Sequence, residues 1–413
     1  MKKSSKLSII GIAAMLLFSC SKEESPIPVI RDDFKTIPVE EARNLVLEYA
    51  KKLYPETRSA IDITNSEVLP LTKDLLTVST RAESLSEIPD TSFYIFNFPD
   101  ESGYAVASAN TKYGRSLLCL TEKGSLTSED FSPIRTKATA DSSGLEGGTG
   151  FIADLICASI MANEIAPPID STEIGGGGGG QIKYGPYVTT KWTQGYYPFN
   201  QYTPNHVAPG CTAIATAQVM AYNEYSNSMS FDGHLCNWST MKTVKPYDNI
   251  NSLGTTEAQE QVGRFVYELG KTNNIRVRYD NGSWAQADGI RRALENYGYQ
   301  SVNKNTGFSS NNIALVDSKI KAGYPVIVSG NHGLEGDDII GSFYGHAWVV
   351  DGLFLTYYHI NWGWGGDSDG YFSKGVFKTA NRHSTDSIID ANVPTASQDE
   401  EYLWWFRIIT YSL

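Results

Sequence analysis

Positive charge is in short supply in this chain. Its 413 residues carry 34 Lys and Arg against 46 Asp and Glu, a net charge of −12. Binding a polyanion needs basic patches that this balance excludes, so nucleic acid is not a partner. Cysteine is scarce too, with five in all. Apart from Cys20 there are Cys119, Cys157, Cys211 and Cys236, with no CxxC pair and no dense spacing. That excludes a disulfide scaffold and a zinc cluster, and no metal or other cofactor is expected. Long apolar runs are missing as well: Leu7 to Phe18, behind Lys2, Lys3 and Lys6, is too short to span a bilayer and reads as a signal peptide. What is plentiful is aromatic surface, 12% of residues against 19% charged, the balance of a folded exported protein. The length calls for more than one domain.

The leader, residues 1–20, ends in Leu17-Phe18-Ser19-Cys20, which resembles a bacterial lipobox with Cys20 as the lipidated residue. Ser21-Lys22-Glu23-Glu24 is similar to the acidic export signal that follows such a Cys. The expectation is an outer-membrane lipoprotein at the cell surface, or one released after processing, touching the membrane only through its lipid anchor. After a tether at 21–34, Val39 to Leu53 places Ala42, Leu45, Val46, Tyr49, Ala50 and Leu53 at helical spacing. Phe93 to Phe98 and Tyr104 to Ser108 read as a β-hairpin, Arg115 to Leu120 as its continuation, and Ile152 to Ile165 as a second amphipathic helix. Residues 35–168 thus form a small α+β module.

A linker at 169–183 follows, with six consecutive glycines, Gly175 to Gly180, that no helix or strand survives. All six His, together with Cys211 and Cys236, lie downstream of it. An inert module, a cleavable hinge and a chemically equipped domain at 184–413 is the layout of a zymogen. In that domain helices precede strands, which predicts a helical layer on an antiparallel barrel-like sheet. Among the strands, Phe354 to Trp362 is expected to pair with His346 to Gly352 across a turn near Leu353.

Pro209-Gly210 ends one segment, and Cys211 to Tyr225 then has no interior Pro or Gly, predicting a helix that begins at Cys211. Nearly every face of it is apolar, so it is buried. A thiol in its first turn meets unpaired N–H groups at the positive end of the helix dipole, a setting that favours the thiolate. A nucleophile needs a base, and His346, opening an apolar strand after Gly345, is placed to supply one. Fifteen residues on, Asn361 can accept from the imidazole and fix its tautomer, with the Trp362 indole shielding that bond. Gln194, on the loop before the helix, can join the Cys211 N–H in stabilising an oxyanion.

Trp192-Thr193-Gln194, the Cys211 helix, Gly345 to Gly352 and Asn361-Trp362-Gly363-Trp364-Gly365-Gly366 resemble, in type and order, the motifs of the streptopain family of secreted bacterial cysteine peptidases. The resemblance covers most of residues 184–380. It implies an α+β, papain-like catalytic domain behind an inhibitory propeptide, acting on protein or peptide substrates through a Cys211 acyl-enzyme. In it Cys211, His346 and Asn361 are catalytic, Gln194 serves the oxyanion hole and Trp362 helps to position His346. Two other readings stand beside it: a Cys-dependent acyl transferase or amidase with Asp351 as third member, and a surface protein that only binds.

Overall fold

A computed structural model describes residues 34–55, 62–80, 88–131, 148–161, 182–195, 197–227, 230–245, 254–279, 283–333, 344–378 and 403–413. The leader with Cys20, the glycine run and most of the 330–345 loop lie outside the described residues. In chain order the elements are α1 (Val39–Leu53), β1 (Glu67–Thr72), α2 (Lys73–Thr80), β2 (Thr91–Asn97), β3 (Tyr104–Ser108), β4 (Leu117–Thr121) and α3 (Gly148–Met161). There follow α4 (Cys211–Asn223), β5 (Ser230–Phe231), β6 (His234–Leu235), α5 (Trp238–Met241), α6 (Thr256–Gly270), α7 (Ala287–Asn296), β7 (Gln300–Thr306) and α8 (Ser310–Lys321). The last are β8 (Val326–Gly333), β9 (Tyr344–Phe354), β10 (Tyr357–Asn361), β11 (Gly370–Ser373) and β12 (Leu403–Ser412). None of the described helices is long and apolar enough to cross a membrane.

Ten of the strands form one antiparallel sheet in the order β1-β2-β3-β4-β11-β10-β9-β8-β12-β7. The early strands join the late ones at β4 and β11, where Thr121 pairs with Gly370, Leu120 with Tyr371 and Cys119 with Phe372. Alternation along the strands sorts side chains into two faces. On one, Ile95, Val106, Val328, Trp348, Ile360, Trp362 and Phe372 form a core with Phe151, Ile152, Leu155 and Ile156 of α3 and Val316 and Ile320 of α8. On the other, α1 covers Tyr94, Phe96, Ala105 and Tyr371, while α4, α6 and α7 pack on Ile327, Ala347, Val349 and Ile409. The structure is therefore α+β, helices on both faces of an antiparallel sheet.

Burial along α1 falls on Ala42, Leu45, Val46, Tyr49, Ala50 and Leu53, the six positions set by its periodicity. Two expectations need correction. The helix expected from Ile152 begins at Gly148 and has no solvent face; Asp154, Ser159 and their apolar neighbours are all buried, because it lies between the sheet and neighbouring segments. The turn between β9 and β10 comes at Leu355 and Thr356, two residues later than expected, so Asn361 pairs with Val349 rather than returning to His346.

Candidate active site

Cys211 opens α4, where the first backbone bond runs from Ile214 N–H to Gly210 O at 3.2 Å. Gly210 has φ of +92°, and a Cβ there would lie 3.0 Å from Ser283 Oγ, so glycine suits both the backbone and the space before the thiol. Burial pushes the Cys211 thiol up, and hydrogen bonds from the Ala347, Thr212 and Cys211 N–H groups only partly offset this. The helix start thus acts in the expected direction but is outweighed, and in this arrangement the thiol is not favoured as thiolate.

Ala347 is the residue after His346, so the structure brings the sulfur to the backbone of the expected base. The imidazole goes elsewhere. His346 shares the sheet face of Trp348 and Val350, opposite the α4 face, and its Nε2–H donates to Trp362 O at 2.8 Å. Its ring stacks on Trp364 at 4.6 Å between centroids and meets Phe151 of α3 edge-on at 5.4 Å, with Trp348 and Trp362 also stacked beside it. Burial lowers its pKa to about 4 against the partial offset of the Trp362 carbonyl. The ring is held neutral, as the Nε2–H tautomer.

Asn361 does not touch the imidazole through its amide. Its Oδ1 accepts from Gln218 Nε2 at 2.9 Å and Gly363 N–H at 3.1 Å, and its Nδ2 donates to Thr190 O at 2.9 Å. Trp362 reaches His346 by its carbonyl as well as its indole, and its own N–H donates to Asp369 Oδ1 at 2.8 Å. Gln194 lies on a loop pinned to the same turn: its N–H donates to Gly363 O at 3.1 Å, and Gly365 N–H donates to Trp192 O at 3.2 Å. Asp351, the third member of the transferase reading, is committed to His359 Nδ1 at 2.6 Å and Val188 N–H at 2.8 Å, not to His346.

Three groups of the site were not singled out by sequence. Phe151 and Gly148 bring α3 onto the His346 pocket; a Cβ at Gly148 would lie 2.9 Å from the Trp364 indole. Beneath the site a charged cluster joins the early module to the late domain: Glu122 accepts from His359 Nε2 at 3.2 Å and lies 3.5 Å from Lys191 Nζ, which also meets Asp369 at 2.9 Å. Burial pushes Glu122 up, but His359 and Lys191 outweigh it and hold it down at about 2. Burial pushes His359 down, but Asp351 and then Glu122 outweigh it and hold it up at about 9. A Gln inside an apolar helix, Gln218, was the one sequence signal of a buried polar network.

Comparison with known proteins covers the same stretch. Residues 192–372 match the Peptidase C10 family. The chain is 32% identical over 191 residues to streptopain of Streptococcus pyogenes, which is 40% of this chain and 46% of the relative. It is 24% identical over 245 residues to the thiol protease/hemagglutinin PrtT of Porphyromonas gingivalis, 50% of this chain and 26% of that protein. The chain thus spans about half the length, or less, of these curated relatives. A prointerpain A fragment from Prevotella intermedia superposes with a TM-score of 0.51 at 19% identity, covering 84% of this chain and 98% of the fragment, which shows a shared fold of propeptide and papain-like domain. By these matches residues 192–372 are similar to the Peptidase C10 family and to streptopain-like cysteine peptidases.

Proposed function

We propose that the chain is a cysteine endopeptidase made as a zymogen. Residues 184–413 are the peptidase, 35–168 the propeptide, and 169–183 the segment cut to separate them. The leader at 1–20 and tether at 21–34 export the protein and anchor it at the outer membrane through a lipid on Cys20. The observation that carries this reading is the Cys211 sulfur at the Ala347 N–H, one residue from an imidazole that α3 holds in an aromatic pocket.

In the processed enzyme, departure of α3 removes Phe151 from the ring, and rotation of the side chain brings His346 Nδ1 to the thiol. His346 then takes the Cys211 proton as sulfur attacks the peptide carbonyl, forming the C–S bond and placing negative charge on oxygen. Gln194 and the Cys211 N–H stabilise that oxygen. Collapse breaks the C–N bond while the imidazolium returns its proton to the leaving amine; water, deprotonated by the same ring, then attacks the thioester, the C–S bond breaks, and the imidazolium returns its proton to the Cys211 sulfur as the acid leaves. Asn361 and Trp362 hold the turn against which the imidazole works.

Casein cleavage after the linker is cut tests the reading. Cys211→Ala is expected to reduce turnover to background, and full retention of activity in that variant would refute it.

A further inference from the structure

Gln218 lies seven residues after Cys211, two turns along α4 and on the same helix face. It is fully buried. Its Oε1 accepts from the Trp192 N–H at 3.1 Å and the Thr190 hydroxyl at 3.1 Å, and its Nε2 donates to Asn361 Oδ1 at 2.9 Å. Asn361 Oδ1 in turn accepts from Gly363 N–H, whose peptide carries the Trp362 carbonyl that receives His346. Trp192 precedes Gln194 by two residues, on the loop paired with Gly363 and Gly365. One amide therefore touches the helix of the nucleophile, the loop of the oxyanion donor and the turn that holds the base.

We infer that Gln218 is a positioning residue of the peptidase, fixing Asn361 and the Gln194 loop relative to Cys211; this rests on the catalytic reading of Cys211 and His346 given above. An amide suits this role because it donates and accepts at once: it gives Asn361 Oδ1 a second donor beside Gly363 N–H, while Asn361 Nδ2 is engaged with Thr190 O. The network lies wholly within residues 190–363, so it stays with the peptidase when the early module leaves. Its loss would leave the Trp192 N–H and the Asn361 carbonyl buried and misdirected.

A double-mutant cycle on the linker-cut protein tests this. Gln218→Met, Asn361→Ala and the double variant are compared with wild type in kcat, KM and the rate at which iodoacetamide alkylates Cys211. Each single change is expected to lower kcat and alkylation about tenfold with KM little altered, and the double variant is expected to be no worse than the poorer single one. Multiplying effects, or an unchanged kcat and alkylation rate in Gln218→Met, would overturn the inference. If Gln218→Met does not accumulate folded, Gln218→Glu takes its place in the same cycle. Its carboxyl can donate to Asn361 only when protonated, so its deficit should shrink as pH falls from 8 to 5, and a deficit flat with pH counts against the inference. The alkylation arm needs no substrate, so a wild-type protein that fails to cut casein would sink the peptidase reading while the coupling between Gln218 and Asn361 is still read.

Discussion

An imidazole enclosed by Phe151, Trp348, Trp362 and Trp364 keeps its one polar contact, to a carbonyl, only while Nε2 carries hydrogen, and its charged form is penalised by burial. The folded-state pKa of about 4 lies below the ordinary 6.5. The sign follows: the buried pose contributes fully above pH 6.5 and loses its advantage as pH falls toward 4, by about 3 kcal/mol over that span. In the uncut Cys211→Ala chain, NMR titration should find His346 with a pKa near 4, moving toward 6.5 once the early module is removed. An unaltered value after removal would mean that the pocket does not depend on α3. That the segments carrying His346, Cys211 and Gln194 come near one another was legible from motif order. The direction of the imidazole was not, because the face each residue of β9 takes depends on how the strand is sandwiched between two layers, and the ring's partner, Phe151, lies 195 residues earlier in a helix with no chemical marker.

Helices and strands were legible where one face is apolar and the other wet. The burial of α1 follows its 3.6-residue period residue by residue, whereas β7, Gln300-Ser301-Val302-Asn303-Lys304-Asn305-Thr306, is an edge strand of mostly polar residues in which Val302 alone supplies an apolar contact to the core, too little to leave a pattern. In α3 the period is hidden because almost every side is buried. In the proposed zymogen that helix is the element on which latency turns. Phe151→Ala removes its contact with the His346 ring at a packing loss of about 3–5 kcal/mol, and is expected to give the uncut chain measurable casein cleavage. Leu155→Ala, a similar truncation one turn along the same core helix from the Phe151–His346 contact, should lower the melting temperature and leave the uncut chain silent. Equal activity in both variants would assign the effect to general loosening of α3.

Across the whole molecule, the early module and late domain share the β4–β11 ladder and the Glu122–His359–Lys191 cluster, a long-range pairing that no local spacing announces. The groups facing His359 are Asp351, Glu122 and Tyr371, and Asp369 faces Lys191. His359, raised to about 9, contributes fully below pH 6.5 and is lost as pH climbs through 9. Glu122, lowered to about 2, contributes fully above pH 4.5 and is lost as pH drops through 2. After the linker is cut, the two pieces should hold together best above about pH 4.5, where Glu122 is charged, and ever more weakly as pH climbs through 9 and His359 loses its proton. Size-exclusion chromatography of the cut protein should show dissociation growing on the alkaline side, and Glu122→Gln should weaken the association about tenfold at pH 6. Pieces that part equally well at pH 6 and pH 9.5 would remove the cluster from any part in the hold.

Departure of the early strands, as proposed, would have a further consequence for residues 370–373. They would change from an inner row of the ladder into its rim, beside the rings of Tyr357 and Tyr371 that α1 now covers. A rim of that kind templates strand addition. On that proposal, switching the molecule on would also make it adhesive, to a second copy of itself or to any extended chain that comes within reach.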